Sequence, residues 1–141
     1  MYRKILVALE NGAADESLLP HVTELAKQFS SELLLLHVAD GWAARNFDHL
    51  KLTESEEMRR DRDYLEAVAT KIRAQGLSAA THLAMGSPPK EILKTADASR
   101  CDLIAMTTHG HRWIQDLIFG STISEVRHKT SIPLLLIRAG S

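Results

Sequence analysis

An open, parallel α/β sheet covered by helices on both sides is the fold class this sequence predicts, and three observations carry it. Short apolar runs recur as "ILVAL" (residues 5–9), "ELLLLHV" (32–38), "DLIAMTT" (102–108) and "IPLLLIR" (132–138), and most of them lack the alternation of a sheet with one wet face. Stretches with helical period or helix-start signals separate them, giving the order β-α-β-α-β-α-β-α-β. The chain has 141 residues, so one compact domain over 1–141 suffices, and such a chain buries roughly 68–70% of its unfolded surface.

The first run, 5–9, ends at "ENG" and reads as a central strand buried on both faces. Asp15 or Ser17 caps the next helix, whose apolar face carries Leu18, Val22, Leu25, Ala26 and Phe29 until Ser30 and Ser31 break it. Residues 32–38 then complete a βαβ unit with a right-handed crossover. Periodicity fails over 39–52, "GWAARNFDHLKL" included, which reads as a long loop or irregular helix of the kind that carries specificity. Thr53 and Glu56 form a capping box that starts a helix through Leu65, Val68, Ala69 and Ile72 to Gln75, stopped by Gly76. Its "EEMRRDRD" charges read as a solvated face.

Residues 77–85 form the third strand, with His82 as a half-buried strand residue. In "GSPPKEI", Gly86 turns the backbone, Ser87 is the N-cap and Pro88 the first residue of a helix to about Ser99. The fourth strand, 102–108, leads into "THGHRWIQDLIFG", then "STISEVRHK" as the last helix and 132–138 as the fifth strand.

The 17 basic and 18 acidic side chains leave a formal net charge of −1, which argues against nucleic acid or an anionic membrane as partner. Cys101 is the one cysteine; it excludes an internal disulfide and a cysteine-rich metal site and fits a reducing compartment. The apolar stretch before Glu10 is shorter than the ~7–15 residues of a signal core, and no run approaches a membrane span. A soluble, cytoplasmic protein is expected.

Ligands of open parallel sheets sit beyond the carboxyl ends of the strands, here near Glu10, Val38, Gly86 and Thr107. Gly110 permits close backbone approach, and Gly120, Ser121 and Thr122 would place free N–H groups at a helix N-terminus, a combination suited to phosphate. A purely structural reading stands beside this one. Thr122 and Glu125 also form a capping box, Gly120 can be a turn, and Trp113, Ile114, Leu117, Ile118 and Phe119 can cover the core. Neither the P-loop nor the dinucleotide fingerprint is present, since Gly-Lys-Ser/Thr is missing and the first βα turn reads "ENGAADES".

Over essentially its whole length the chain resembles the universal stress protein family. The resemblance rests on "KILVALENG", "ELLLLHV", "GSPPKEIL", "CDLIAMTTHG" and "IFGSTISEVRHKTSIPLLLIR" together. It implies a flavodoxin-like, adenine nucleotide alpha hydrolase-like domain with sheet order 3-2-1-4-5 and a homodimer paired through the fifth strand. ATP-binding members share a Gly-x2-Gly-x9-Gly-Ser/Thr signature, of which Gly110 and Gly120-Ser121 stand here while the first position is Thr107. By resemblance, Gly110, Gly120, Ser121 and Thr122 hold the phosphates; Gly86 is a further candidate, and Arg112 contacts either phosphate or only solvent. Ala8, Leu9, Glu10, Val38 and Met106 line adenine and ribose. Glu10 replaces the family's usual aspartate. Thr107, being β-branched, requires extended backbone or a remodelled loop, and its hydroxyl can donate to a phosphate. The implied function is an adenine-nucleotide sensor or regulatory module taking ATP with accompanying Mg²⁺ and an unidentified protein partner.

Three other readings draw on the same residues. His109 and His111 have zinc-ligand spacing, with His21, His37 or His128 as a third ligand, although loop packing accounts for His109 more simply. Slow ATP hydrolysis or phosphoryl transfer, including autophosphorylation at Ser121 or Thr122, would draw on Glu10, Asp15 or His111, yet no spacing singles one out; "NGAADES" echoes only part of a pyrophosphatase loop. A nucleotide-independent dimeric interaction module is the remaining alternative.

Overall fold

The computed structural model describes residues 1–39, 51–109 and 117–140, the side chains of 51–55 and 117–120 excepted. Its strands are β1 (Lys4–Ala8), β2 (Glu32–Ala39), β3 (Ser78–Met85), β4 (Leu103–Thr108) and β5 (Leu134–Arg138), all parallel in the order β3-β2-β1-β4-β5. The helices between them are α1 (Asp15–Phe29), α2 (Lys51–Arg73), α3 (Pro88–Ala98) and α4 (Leu117–Lys129). Fold class and strand order are those expected from the sequence.

Alternation along the strands divides the core into two layers. Ile5, Val7, Leu33 and Leu35 face Leu18, Val22 and Ala26 of α1 and Leu65, Val68, Ala69 and Ile72 of α2. Leu6, Leu34, Leu36, Ile104 and Met106 face Ile92 and Ala96 of α3 and Val126 of α4. Both faces are therefore dry, which is why β1, β2 and β4 read as unbroken apolar runs.

The helix ends show where sequence expectations held. Ser30 closes α1 at φ 55, its N–H donating to the Ala26 carbonyl, and Gly76 follows α2 at φ +85. Ser87 occupies the N-cap of α3 with Pro88 as the first helical residue, although the Ser87 hydroxyl makes no capping bond. At the opposite end of the sheet, the Asp102 carboxylate accepts the N–H groups of Arg3 at 2.9 Å and Lys4 at 3.0 Å. Burial works against that charge, yet the Lys4 and Arg3 bonds outweigh it and hold the carboxyl below its ordinary range.

Three helix starts differ from expectation. Asp15 opens α1 from inside the helix, with Ala14 at the N-cap and no side-chain cap, because its carboxylate is used by the preceding turn. The Ser17 hydroxyl accepts the N–H of Gly140 instead. Helix α2 begins at Lys51, ahead of Thr53, so the Thr53–Glu56 box does not start it; Lys51 and Leu52 are good helix formers and extend the run. Helix α4 begins at Leu117 rather than Ser121. The stretch 40–50, most of the segment left without period, lies outside the described residues.

Leu35 is fully buried in the layer beneath α1 and α2, and its truncation opens a cavity there. Leu35→Ala should cost about 2–5 kcal/mol in urea unfolding, and a loss well under that range would show the layer to be loosely packed.

Candidate functional site

Strands β1 and β4 are neighbours whose onward connections leave to opposite faces of the sheet, which opens a crevice beyond their carboxyl ends. A cleft there is lined by Ala8, Leu9 and Glu10 from the end of β1, Val38 from β2, Met106 and Thr107 from β4, and Thr122 from α4. All of these were expected from the sequence at a ligand site. Leu36, Pro88 and Ile92, which were not anticipated, complete the lining with His37, which the sequence offered only as a zinc ligand. The enclosed volume is about 50 Å³, against the ~300–1,000 Å³ of typical small-molecule pockets. Among the described residues the cleft is a ligand floor rather than a full cavity.

Other expected positions fall elsewhere. Gly86 ends β3 at φ +136, a conformation that suits glycine, but it does not line the cleft. Gly120, Ser121 and Thr122 lie inside α4, where the N–H groups of Ser121 and Thr122 turn to carbonyls four residues back instead of toward an anion. The expectation of a helix start at these residues is thus corrected, the physical reason being that a helix opened at Leu117 gains one hydrogen bond for each further residue fixed, which a start at Ser121 would forgo. Ser121 is exposed, whereas Thr122 is buried. Gly110, His111, Arg112, Trp113 and Ile114 lie outside the described residues.

Glu10 and Thr107, the two departures from the family signature, meet each other. Thr107 is extended within β4 and its hydroxyl donates to Glu10 Oε2 at 2.5 Å. His109 Nε2 lies 2.8 Å from the same oxygen and 3.0 Å from Oε1; a carboxylate only accepts, so this nitrogen carries the proton. The Glu10 side chain is 15% exposed and that of His109 12%. His109 is therefore committed to a carboxylate. Among the described residues no group of three His, Cys, Asp or Glu side chains is arranged to hold a metal ion.

A second polar cluster braces the β1–α1 turn. Asp15, buried, accepts the N–H of Glu10 and of Asn11, each at 2.9 Å, and the Tyr64 hydroxyl at 2.5 Å. Asn11 adopts φ 60, a conformation asparagine tolerates. Burial first, and then the Asp15 carboxylate, push the Tyr64 phenol above its ordinary pKa. Asn11 also donates through Nδ2 to Asp61 Oδ1 at 2.7 Å. His37 places Nδ1 2.9 Å from the Leu9 carbonyl and Nε2 3.6 Å from Asp61 Oδ1; Nδ1 must donate, because a carbonyl cannot.

Asp61 corrects the reading of "EEMRRDRD" as a solvated face, for it is buried within this cluster. The signal was its register, since 61, 65, 68 and 72 share the buried face of α2.

The profile of the universal stress protein family matches residues 1–138. The chain belongs to this family. Among universal stress proteins, MJ0577 of Methanocaldococcus jannaschii is 24% identical, with 98% of this chain and 96% of that one covered, and YxiE of Bacillus subtilis is 26% identical over 98% and 100%. The solved structure of MJ0577 superposes with a TM-score of 0.83 over 100% of this chain and 99% of that one. A universal stress protein of Archaeoglobus fulgidus, solved in complex with dAMP, matches at 23% identity and a TM-score of 0.71 over 96% and 98%. These likenesses show the universal stress protein fold.

Replacing Asp15 with alanine strands three donors, the Glu10 and Asn11 N–H groups after β1 and the Tyr64 hydroxyl of α2, each worth about 1–3 kcal/mol when left unmet. Asp15→Ala should therefore lose about 3 kcal/mol or more in urea unfolding, and a near-neutral result would mean that water satisfies the turn.

Proposed function

We propose that this universal stress protein binds an adenine nucleotide in the crevice beyond β1 and β4 and acts as a dimeric, cytoplasmic regulatory module rather than as an enzyme. The observation that carries the reading is the convergence of Ala8, Leu9, Glu10, Val38, Met106 and Thr107 on one cleft at the point where the strand order reverses. The apolar walls suit a base, and Glu10 offers an acceptor to an amine or a hydroxyl. The dAMP complex of the A. fulgidus relative supports an adenine ligand. ATP with Mg²⁺ is the finer form of the proposal; on the described residues the base side fits better than the phosphate side, because α4 withholds the N–H groups of Ser121 and Thr122. Phosphate contacts would fall to Gly110 and Arg112.

Titration of nucleotide-stripped protein with adenine nucleotides tests the reading directly. Micromolar affinity, about −8 kcal/mol, is expected for at least one of them. The absence of heat up to millimolar concentration would favour the nucleotide-independent interaction module, a reading consistent with the small cleft and with the closed Glu10–Thr107–His109 cluster.

For dimer formation the support is β5. Its sheet neighbour among the described residues is β4 alone, and Leu136 is 41% exposed, the profile of an edge that gains by pairing. Sedimentation should show a dimer that Leu136→Arg dissociates; a wild-type monomer would remove this part of the proposal.

A further inference from the structure

We infer that the outer edge of β3 is a second pairing edge, matched to β3 of a second copy of this chain, and that Arg73 holds it closed by occupying the Ala79 carbonyl. That edge is the opposite border of the sheet from β5, and nothing about it depends on the nucleotide reading.

The direction of hydrogen bonding along β3 shows which groups face outward. Successive residues of a strand turn their N–H and C=O groups to one side and then the other. The Gly86 N–H, just past β3, donates to the Ala39 carbonyl of β2 at 3.4 Å, so the even-numbered positions of β3 serve the ladder with β2. Ala79, Thr81, Leu83 and Met85 then direct their backbone groups away from the sheet, and among the described strands β3 pairs with β2 alone.

Edges of this kind are usually blunted within the strand itself, by charges, proline or a bulge. β3 reads SAATHLAM, without lysine, arginine, carboxylate or proline, and its register with β2 runs unbroken from Ser78 to Met85. The guard comes from α2 instead. Arg73, the last residue of that helix, donates to the Ala79 carbonyl from Nε at 3.0 Å and from Nη2 at 2.8 Å. Its Nη1 lies 3.6 Å from Glu66 Oε2, and Glu66 Oε1 accepts the Thr81 hydroxyl at 2.7 Å. The guanidinium thus takes an acceptor that a pairing strand needs, and Glu66 and Thr81 hold it there. Its charge also opposes the same group on an approaching copy.

The composition of β3 chooses the occupant. A strand without formal charge meets its own two-fold copy with no like-charge opposition from its own side chains, and Ser78, Ala80 and His82 are exposed on the face opposite α2. Since β5 is a border as well, a molecule with both edges open would add copies without closure. Arg73 leaves one edge to pair.

The test is sedimentation of the full chain above the ordinary titration range of histidine, where His82 is neutral. Arg73→Ala should raise the weight-average mass about twofold or more over wild type at equal concentration. Ala80→Lys added to that variant puts like charges on the facing strands and should return the mass to the wild-type value. It repairs no contact of Arg73, so a general loss of folding would not respond to it. Leu136→Arg added instead should leave a closed pair joined through β3. An unchanged mass in a folded Arg73→Ala protein would overturn the inference, as would a rise that Ala80→Lys leaves in place. Should urea unfolding show that Arg73→Ala does not fold, Arg73→Met, which keeps an apolar stem and loses the donors, is read in the same way. A wild-type monomer would remove the β5 dimer alone, and the comparison with Arg73→Ala would still decide this edge.

Discussion

Asp15 is the side chain on which the functional end of the molecule depends. A strand that must stop inside a dry sheet leaves N–H groups with no ladder partner, and burying them unmet is costly. The Asp15 carboxylate accepts two of them, from Glu10 and Asn11, and extends to Tyr64 of α2. Through Asn11, Asp61 and His37, the turn is then tied to α2 and β2 as well. The position of Glu10, and with it the floor of the crevice, follows from where this carboxylate sits.

Much of the fold was legible because burial on both faces writes itself directly into sequence. Residues 5–9 and 32–38 had to be apolar throughout to sit between two helical layers, and Ser87-Pro88 and Gly76 mark boundaries through backbone restrictions of their own. Polar residues were harder to read. Asp15 looked like a cap because caps are local, while its partners include Tyr64 across 49 positions. Asp61 was hidden among charges whose neighbours do face water, and only its helical phase distinguished it. In α4 the capping box of Thr122 and Glu125 competed with the helix-forming residues ahead of it, and the longer helix prevailed.

At the candidate site, the lining of the crevice could be read from strand ends, since parallel topology brings those ends together. What could not be read was the pairing of Glu10 with Thr107. Treated one at a time, each residue weakens the family signature, as a longer acid and a β-branched residue at a glycine position. Together they form a hydrogen bond that neither would make with the usual partner: aspartate is shorter by a methylene, and glycine has no hydroxyl. Departures from a motif thus carry information in combination that they lack singly, and a single sequence does not reveal which ones touch.

Strand order also has a temporal side. β4 is buried along nearly its whole length and needs β5 to cover its outer edge, yet β5 follows every other strand in the chain. Synthesis proceeds toward that strand, so each nascent molecule passes through an interval in which an apolar, hydrogen-bond-hungry border is complete but unpartnered. During that interval, which lasts while the residues between Thr108 and Leu134 are made, the growing chain is open to the wrong neighbour.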